Sequence, residues 1–201
     1  RRLVGSEMCI RDRCSITASD ADGENPAQQF SWVNLSTGQT IASSATVLLT
    51  PALASPGNTL ECTAVVTDSY GGSDTSTVTV NVQNRPPTCV SPRVVPAVAF
   101  NDSTVSCTAT IEDPDGLPLT TTYIWSNQDT GLQLATGANL TLDSSQASPG
   151  DTIQCDISTT DSAGSTATAS ASASIANRAP TASVSLPVTA EISQPVVCTV
   201  T

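Results

Sequence analysis

The side chains able to do chemistry in this chain are cysteines and aspartates. Its 201 residues include seven cysteines and no histidine. Without histidine there is no Ser-His-Asp or Cys-His site and no usual zinc ligation. No glycine-rich phosphate loop or dinucleotide fingerprint occurs either. Carboxylate pairs stand at Asp20/Asp22 and Asp113/Asp115. Two carboxylates could hydrolyse a glycoside. With further oxygen donors they could hold Ca²⁺. They could also form a plain turn, each aspartate accepting from its own backbone. The pair is duplicated along the chain, and catalytic sites are not expected to repeat down a string of spacers, so no enzymatic activity is expected.

The cysteines fall into a repeated frame. Trp32 lies 18 residues after Cys14 and 30 before Cys62, and Trp125 stands at the same distances from Cys107 and Cys155. The frame recurs after 93 residues, which marks a duplicated module. Because the cysteine interval survives while most neighbours change, Cys14–Cys62 and Cys107–Cys155 are expected to be disulfides formed in an oxidising compartment. The alternative is reduced, buried cysteines in a cytosolic protein. Cys198 opens a third frame, and Cys89 has no counterpart, since Ala182 stands in its place.

Alternation supplies the elements that would position these residues. Cys14, Ile16 and Ala18 alternate with polar residues, as do Leu60, Cys62, Ala64 and Val66, and Val78, Val80 and Val82. Strands are predicted there and at the equivalent places of the second copy, with Val94–Val98 as a first strand that the first copy lacks. The 166–175 stretch alternates Ala with Ser or Thr, so the second core is expected to be thin and to lean more on its disulfide. Asn84-Arg85-Pro86-Pro87 recurs as Asn177-Arg178-Ala179-Pro180. Proline fixes φ and removes a donor, which predicts a short, stiff linker that does not continue the sheet.

Two cysteines flanking a tryptophan at this spacing fit facing strands bridged over a buried indole. The predicted fold is all-β, as tandem immunoglobulin-like β-sandwich modules. Trp32 and Trp125 are then core residues and not ligand-stacking ones. In such a sandwich two of the inter-strand loops share the end that receives the linker. That would bring Asn84, Asp113, Asp115 and Asp161 together as a candidate calcium site at the joint.

The chain resembles the tandem immunoglobulin-like and PKD-like repeats of large bacterial surface and secreted proteins. Asp113-Pro-Asp115-Gly116 followed by Tyr123-x-Trp125 resembles the turn and strand before the core tryptophan of PKD repeats, while the paired cysteines look immunoglobulin-like. Residues 1–13 resemble a translated sequencing-adapter read-through, and are expected to be non-native and not to pack. The expected organisation is then a first module, 14–85, lacking its first strand; a complete module, 86–178; and the truncated start of a third, 179–201.

Net charge is −11, with seven arginines, four of them within the first thirteen residues, and no lysine. Such a polyanion is a poor partner for nucleic acid or anionic lipid. No apolar run is long enough to span a bilayer, so no membrane insertion is expected of this stretch. These readings imply a structural or adhesive repeat fragment of a bacterial extracellular or cell-surface protein, meeting a protein or carbohydrate surface. The alternative is a carbohydrate- or protein-binding accessory module of a secreted enzyme.

Overall fold

The structure, a computed structural model, describes residues 11–23, 25–185, 189, 192–193, 195, 197 and 199–200. It is all-β. The strands are β1 (Arg11–Arg13), β2 (Ala27–Asn34), β3 (Gln39–Ala42), β4 (Thr46–Leu48), β5 (Thr59–Thr67), β6 (Ser73–Asn81), β7 (Thr88–Val95) and β8 (Val98–Ala99). Then follow β9 (Thr104–Glu112), β10 (Leu119–Asn127), β11 (Gln133–Thr136), β12 (Asn139–Thr141), β13 (Thr152–Asp161), β14 (Thr166–Ile175), β15 (Val184–Ser185) and β16 (Thr199–Val200).

Each repeat is an immunoglobulin-like sandwich. The first faces a sheet β3-β2-β5-β6 with the pair β1-β4; the second faces β11-β10-β13-β14-β8 with β12-β9-β7. Disulfides tie the facing layers, Cys14–Cys62 and Cys107–Cys155, with Cα–Cα distances of 6.3 and 6.4 Å. The tryptophans fill the space beside them and are buried. Each indole N–H finds a partner across the sandwich: Trp32 Nε1 donates to the Ser44 carbonyl at 3.0 Å, and Trp125 Nε1 to Gly137 at 2.9 Å. A buried indole needs that acceptor. Both strands also shift register just past the tryptophan, at Trp32/Val33 and Trp125/Ser126.

By compactness the chain divides into two units. One is Arg1–Ser91 with Ala109–Thr121 and Ile157–Ala169; the other is Pro92–Thr108, Thr122–Asp156 and Ser170–Thr201.

Three expectations are corrected. Residues 14–20 alternate in burial as foreseen, yet they form no strand. In the second repeat the equivalent residues are the later part of β9, which β7 and β12 flank. In the first repeat no described strand stands where β7 does, and no described strand pairs with 14–20. Conversely, Arg11–Arg13 do pair, with Leu48, Val47 and Thr46. That register is the one Thr104–Ser106 use with Thr141–Asn139. The strand therefore begins before Cys14, because backbone pairing does not require side-chain alternation. The rest of 1–13, with Cys9, lies outside the described residues, as does Cys198. Third, the thin core is not that of the second repeat. Val94, Ala99, Val105, Ile153, Ile157 and Ile175 are all buried there. The buried apolar residues of the first repeat are Cys14, Trp32, Val47, Leu60, Cys62 and Ala64, with Phe30, Ile41 and Leu49 partly covered. What decides is the covering strand and not the size of the side chains.

Candidate functional site

The Asp-x-Asp-Gly stretch is a turn. Asp113 Oδ1 accepts the backbone N–H of Asp115 and of Leu117, both at 2.9 Å. Gly116 has φ of 71°, the left-handed conformation that glycine takes at no steric cost. Asp20 does the same for Asp22 N–H at 2.7 Å, with Gly23 at φ 83°. Asp161 closes the β13–β14 loop in a similar way, its Oδ1 accepting from Ala163 and Ser165 at 2.9 and 2.8 Å. These loops need the aspartates for their own shape.

Asp161 and Asp115 then meet the linker. The Arg85 backbone N–H donates to Asp115 Oδ2 and its Nε to Oδ1, each at 2.7 Å, and its Nη2 lies 2.6 Å from Oδ1. Asn84 Nδ2 donates to Asp161 Oδ2 at 2.8 Å and to Ser165 Oγ at 2.9 Å. All these residues belong to the first compact unit. A charge-assisted, multidentate arginine contact fixes orientation as well as distance. Asn84 Oδ1 and Asp113 Oδ2 are buried and accept no hydrogen bond from the described residues.

The sequence placed Asn84, Asp113, Asp115 and Asp161 near one another, and Asn84 does meet Asp161. Both oxygens of Asp115 are engaged by Arg85. Among the described residues no three acidic, cysteine or histidine side chains form a group able to hold a metal ion. The site contains no nucleophile paired with a base, and its chemistry is that of a clamp.

Asp161 titrates below the usual carboxylate range. The Asn84 amide is the main cause, the loop N–H groups of Ser165, Ala163 and Gly164 add to it, and burial works against it. A depressed native pKa stabilises the fold above the unfolded value of about 3.9 and loses that contribution as pH falls through the native value. Asn84→Ala is therefore expected to raise the Asp161 pKa toward the ordinary one, so that the stability this carboxylate contributes above the unfolded pKa, and its loss in acid, both shrink. Carboxyl NMR titration of Asp161 is the check; an unshifted curve would mean that the loop N–H groups alone hold it.

The second linker copy behaves differently. Arg178 forks onto Asp102 at 2.7 and 2.5 Å and lies 4.2 Å over the Phe100 ring. Both charged groups are more than half exposed, so the pair contributes little stability.

Two residues escaped the sequence reading. Asn34 and Asn127 are fully buried. Asn34 Nδ2 donates to Leu53 O at 3.1 Å and Asn58 Oδ1 at 2.9 Å. Asn127 Nδ2 donates to Gln146 O at 3.1 Å and Asp151 Oδ2 at 2.8 Å. They pin the β4–β5 and β12–β13 connections to the sheet. The signal available was their common place in the 93-residue frame. Burial also removes Asn34 as a glycosylation acceptor, although Asn34-Leu-Ser36 fits the pattern. Cys89 is a free thiol in β7, partly covered, and burial pushes its pKa up.

No family model and no curated protein matches the chain. Solved structures similar to it include fibronectin(III)-like modules of CbhA from Clostridium thermocellum, 16% identical, TM-score 0.32, covering 80% of this chain and 82% of that one. The three N-terminal domains of the outer capsid protein Hoc of bacteriophage RB49 are 10% identical, TM-score 0.35, covering 77% and 59%. The FN1–FN3 domains of chicken CNTN1 are 8% identical, TM-score 0.36, covering 83% and 63%. At this level of likeness the fold of the present chain stands on its own sheets, disulfides and tryptophan cores.

Proposed function

We propose that the chain is a structural, adhesive repeat of a bacterial extracellular or cell-surface protein, not an enzyme. The observation that carries this is the clamped linker: Asn84 and Arg85 donate to Asp161 and Asp115, in loops shaped by the turn bonds of Asp161 and Asp113. A linker locked by hydrogen bonds and followed by Pro86-Pro87 suits an element that sets spacing. The two disulfides fit an oxidising, extracellular setting, and the acidic balance fits a soluble surface module. The runner-up, a carbohydrate- or protein-binding accessory module, would use the exposed loops.

Small-angle scattering of the intact chain beside Asn84→Ala/Arg85→Ala tests the reading. The spacer function expects the variant to broaden the distribution of lengths while each repeat keeps its circular dichroism. An unchanged curve counts against it, and saturable binding of the wild type on a polysaccharide array would favour the runner-up. The same scattering in chelator and in millimolar Ca²⁺, the range of extracellular modules, tests calcium. An ion that used Asp115 would have to displace Arg85 from it; a curve that changes with Ca²⁺ would support a calcium site, and an unchanged curve would count against one.

A further inference from the structure

The Arg85–Asp115 pair does not stand in open water. The Asp115 side chain is 11% exposed and that of Arg85 37%. Beside the pair is a small cleft of ≈ 60 Å³. Leu49, Pro56 and Val82, all partly buried, line part of it, and Thr50 and Pro51 stand at its exposed rim. A Cβ added at Gly116 would lie 3.6 Å from the Pro51 ring, so the Asp-Pro-Asp-Gly turn rests against that proline. The β4–β5 connection and the β9–β10 turn therefore touch, and all these residues belong to the first compact unit.

The second repeat has the same connection with a different rim. Asp143 and Ser144 hold the frame positions of Thr50 and Pro51. The backbone turn is shared: Leu53 N donates to Thr50 O at 2.9 Å, and Gln146 N to Asp143 O at 3.0 Å. In that copy the linker arginine, Arg178, pairs with Asp102, and their side chains are 52% and 61% exposed. The two linker arginines thus share a frame position and differ in setting.

We propose that the β4–β5 connection is a docking seat for the Asp-Pro-Asp-Gly turn, and that Thr50 and Pro51 set its specificity. This rests on the spacer reading and adds the surface that keeps the spacer stiff. Residues 50–56 carry no charge, and their apolar side chains take water away from the ion pair. A pair removed from water feels a lower dielectric and less screening. The clamp therefore holds at high ionic strength, where the open Arg178–Asp102 pair does not. Proline at the rim has a fixed φ and no N–H to offer the carboxylates. A carboxylate at the rim, as at Asp143, would repel Asp115 and compete for the guanidinium.

The test replaces the first rim by the second, as Thr50→Asp/Pro51→Ser in the intact chain. Asp143 and Ser144 stand in the same turn of a folded repeat, so the variant is expected to fold. Amide exchange at Arg85, whose N–H donates to Asp115 Oδ2, reads the clamp directly. It should be about tenfold faster or more in the variant, the equivalent of losing one hydrogen bond to a charged group. Small-angle scattering reads the joint. The wild-type curve should not change between about 0.1 M and about 1 M salt, over which the screening length falls from about 10 to about 3 Å. The variant's distribution of lengths should broaden as salt rises. Should circular dichroism show the double variant disturbed, Thr50→Asp alone asks the same question with the proline in place. A variant that protects Arg85 and scatters as the wild type does overturns the proposal. So does a wild type that itself loosens in salt, since its pair is then not shielded. If Asn84→Ala/Arg85→Ala broadens the distribution and the rim variant does not, the seat falls and the spacer reading stands. If neither does, both fall.

Discussion

Replacing Cys14 and Cys62 together by alanine is expected to unfold the first repeat while the second stays folded. The bridge spans 48 residues, and closing a loop of that length stabilises by about 4 kcal/mol on the chain-entropy model, with about 2–5 kcal/mol as the usual measured loss. Whole-domain stability is on the order of 5–15 kcal/mol. The first repeat has little to set against the loss. Its buried apolar set among the described residues is six, Cys14, Trp32, Val47, Leu60, Cys62 and Ala64, two of them the bridged cysteines themselves, and all of β6 is exposed. The same double replacement at Cys107 and Cys155 removes a bridge of equal span from a repeat whose last strand is covered by β8. It should lower the melting temperature and leave a folded module. Differential scanning calorimetry of the two variants separates these outcomes. Should the second repeat unfold first, the account of which core is thin is wrong.

Trp125→Ala is expected to destabilise the second repeat by about 3–5 kcal/mol. The indole is 0% exposed, so its loss leaves a cavity that close-packed strands can only partly collapse. It also deprives the Gly137 carbonyl of its donor, and an unsatisfied buried polar group adds to the cost. Trp125→Phe retains part of the ring volume but not the donor, and should fall between the two. Chemical denaturation followed by far-ultraviolet circular dichroism measures both. The fluorescence of Trp32, the single tryptophan left in either variant, reports whether the first repeat is untouched. A loss below about 1 kcal/mol for the alanine variant would mean the indole does not fill the core as described.

Much was legible in the sequence where information is local or periodic. The 93-residue frame announced two sandwiches, because a cysteine, a tryptophan and a second cysteine at fixed spacing must come from strands of fixed length. The bridges Cys14–Cys62 and Cys107–Cys155, and the burial of Trp32 and Trp125, followed from that spacing. Asp113 and Asp115 were legible as a turn, since an aspartate two residues before another, with glycine next, can satisfy its own backbone. The nearness of Asn84 to Asp161 followed from loop positions in such a sandwich.

What lies across the sheet was not legible. Whether Asp115 faces an ion or a guanidinium depends on how Arg85 leaves the linker, and its spacing from the turn is that of two separate elements. Asn34 read as a polar connection because a buried amide is recognised only by the carbonyls around it, here those of Leu53 and Asn58. Val78 and Val80 alternate as core residues do, and Ala171 and Ala173 as a weak face does, yet exposure runs the other way. A strand's own pattern shows which face would be buried; only the strand beside it removes that face from water. In the second repeat β8 does so. In the first, no described strand does, and the same frame of residues is left with an open edge.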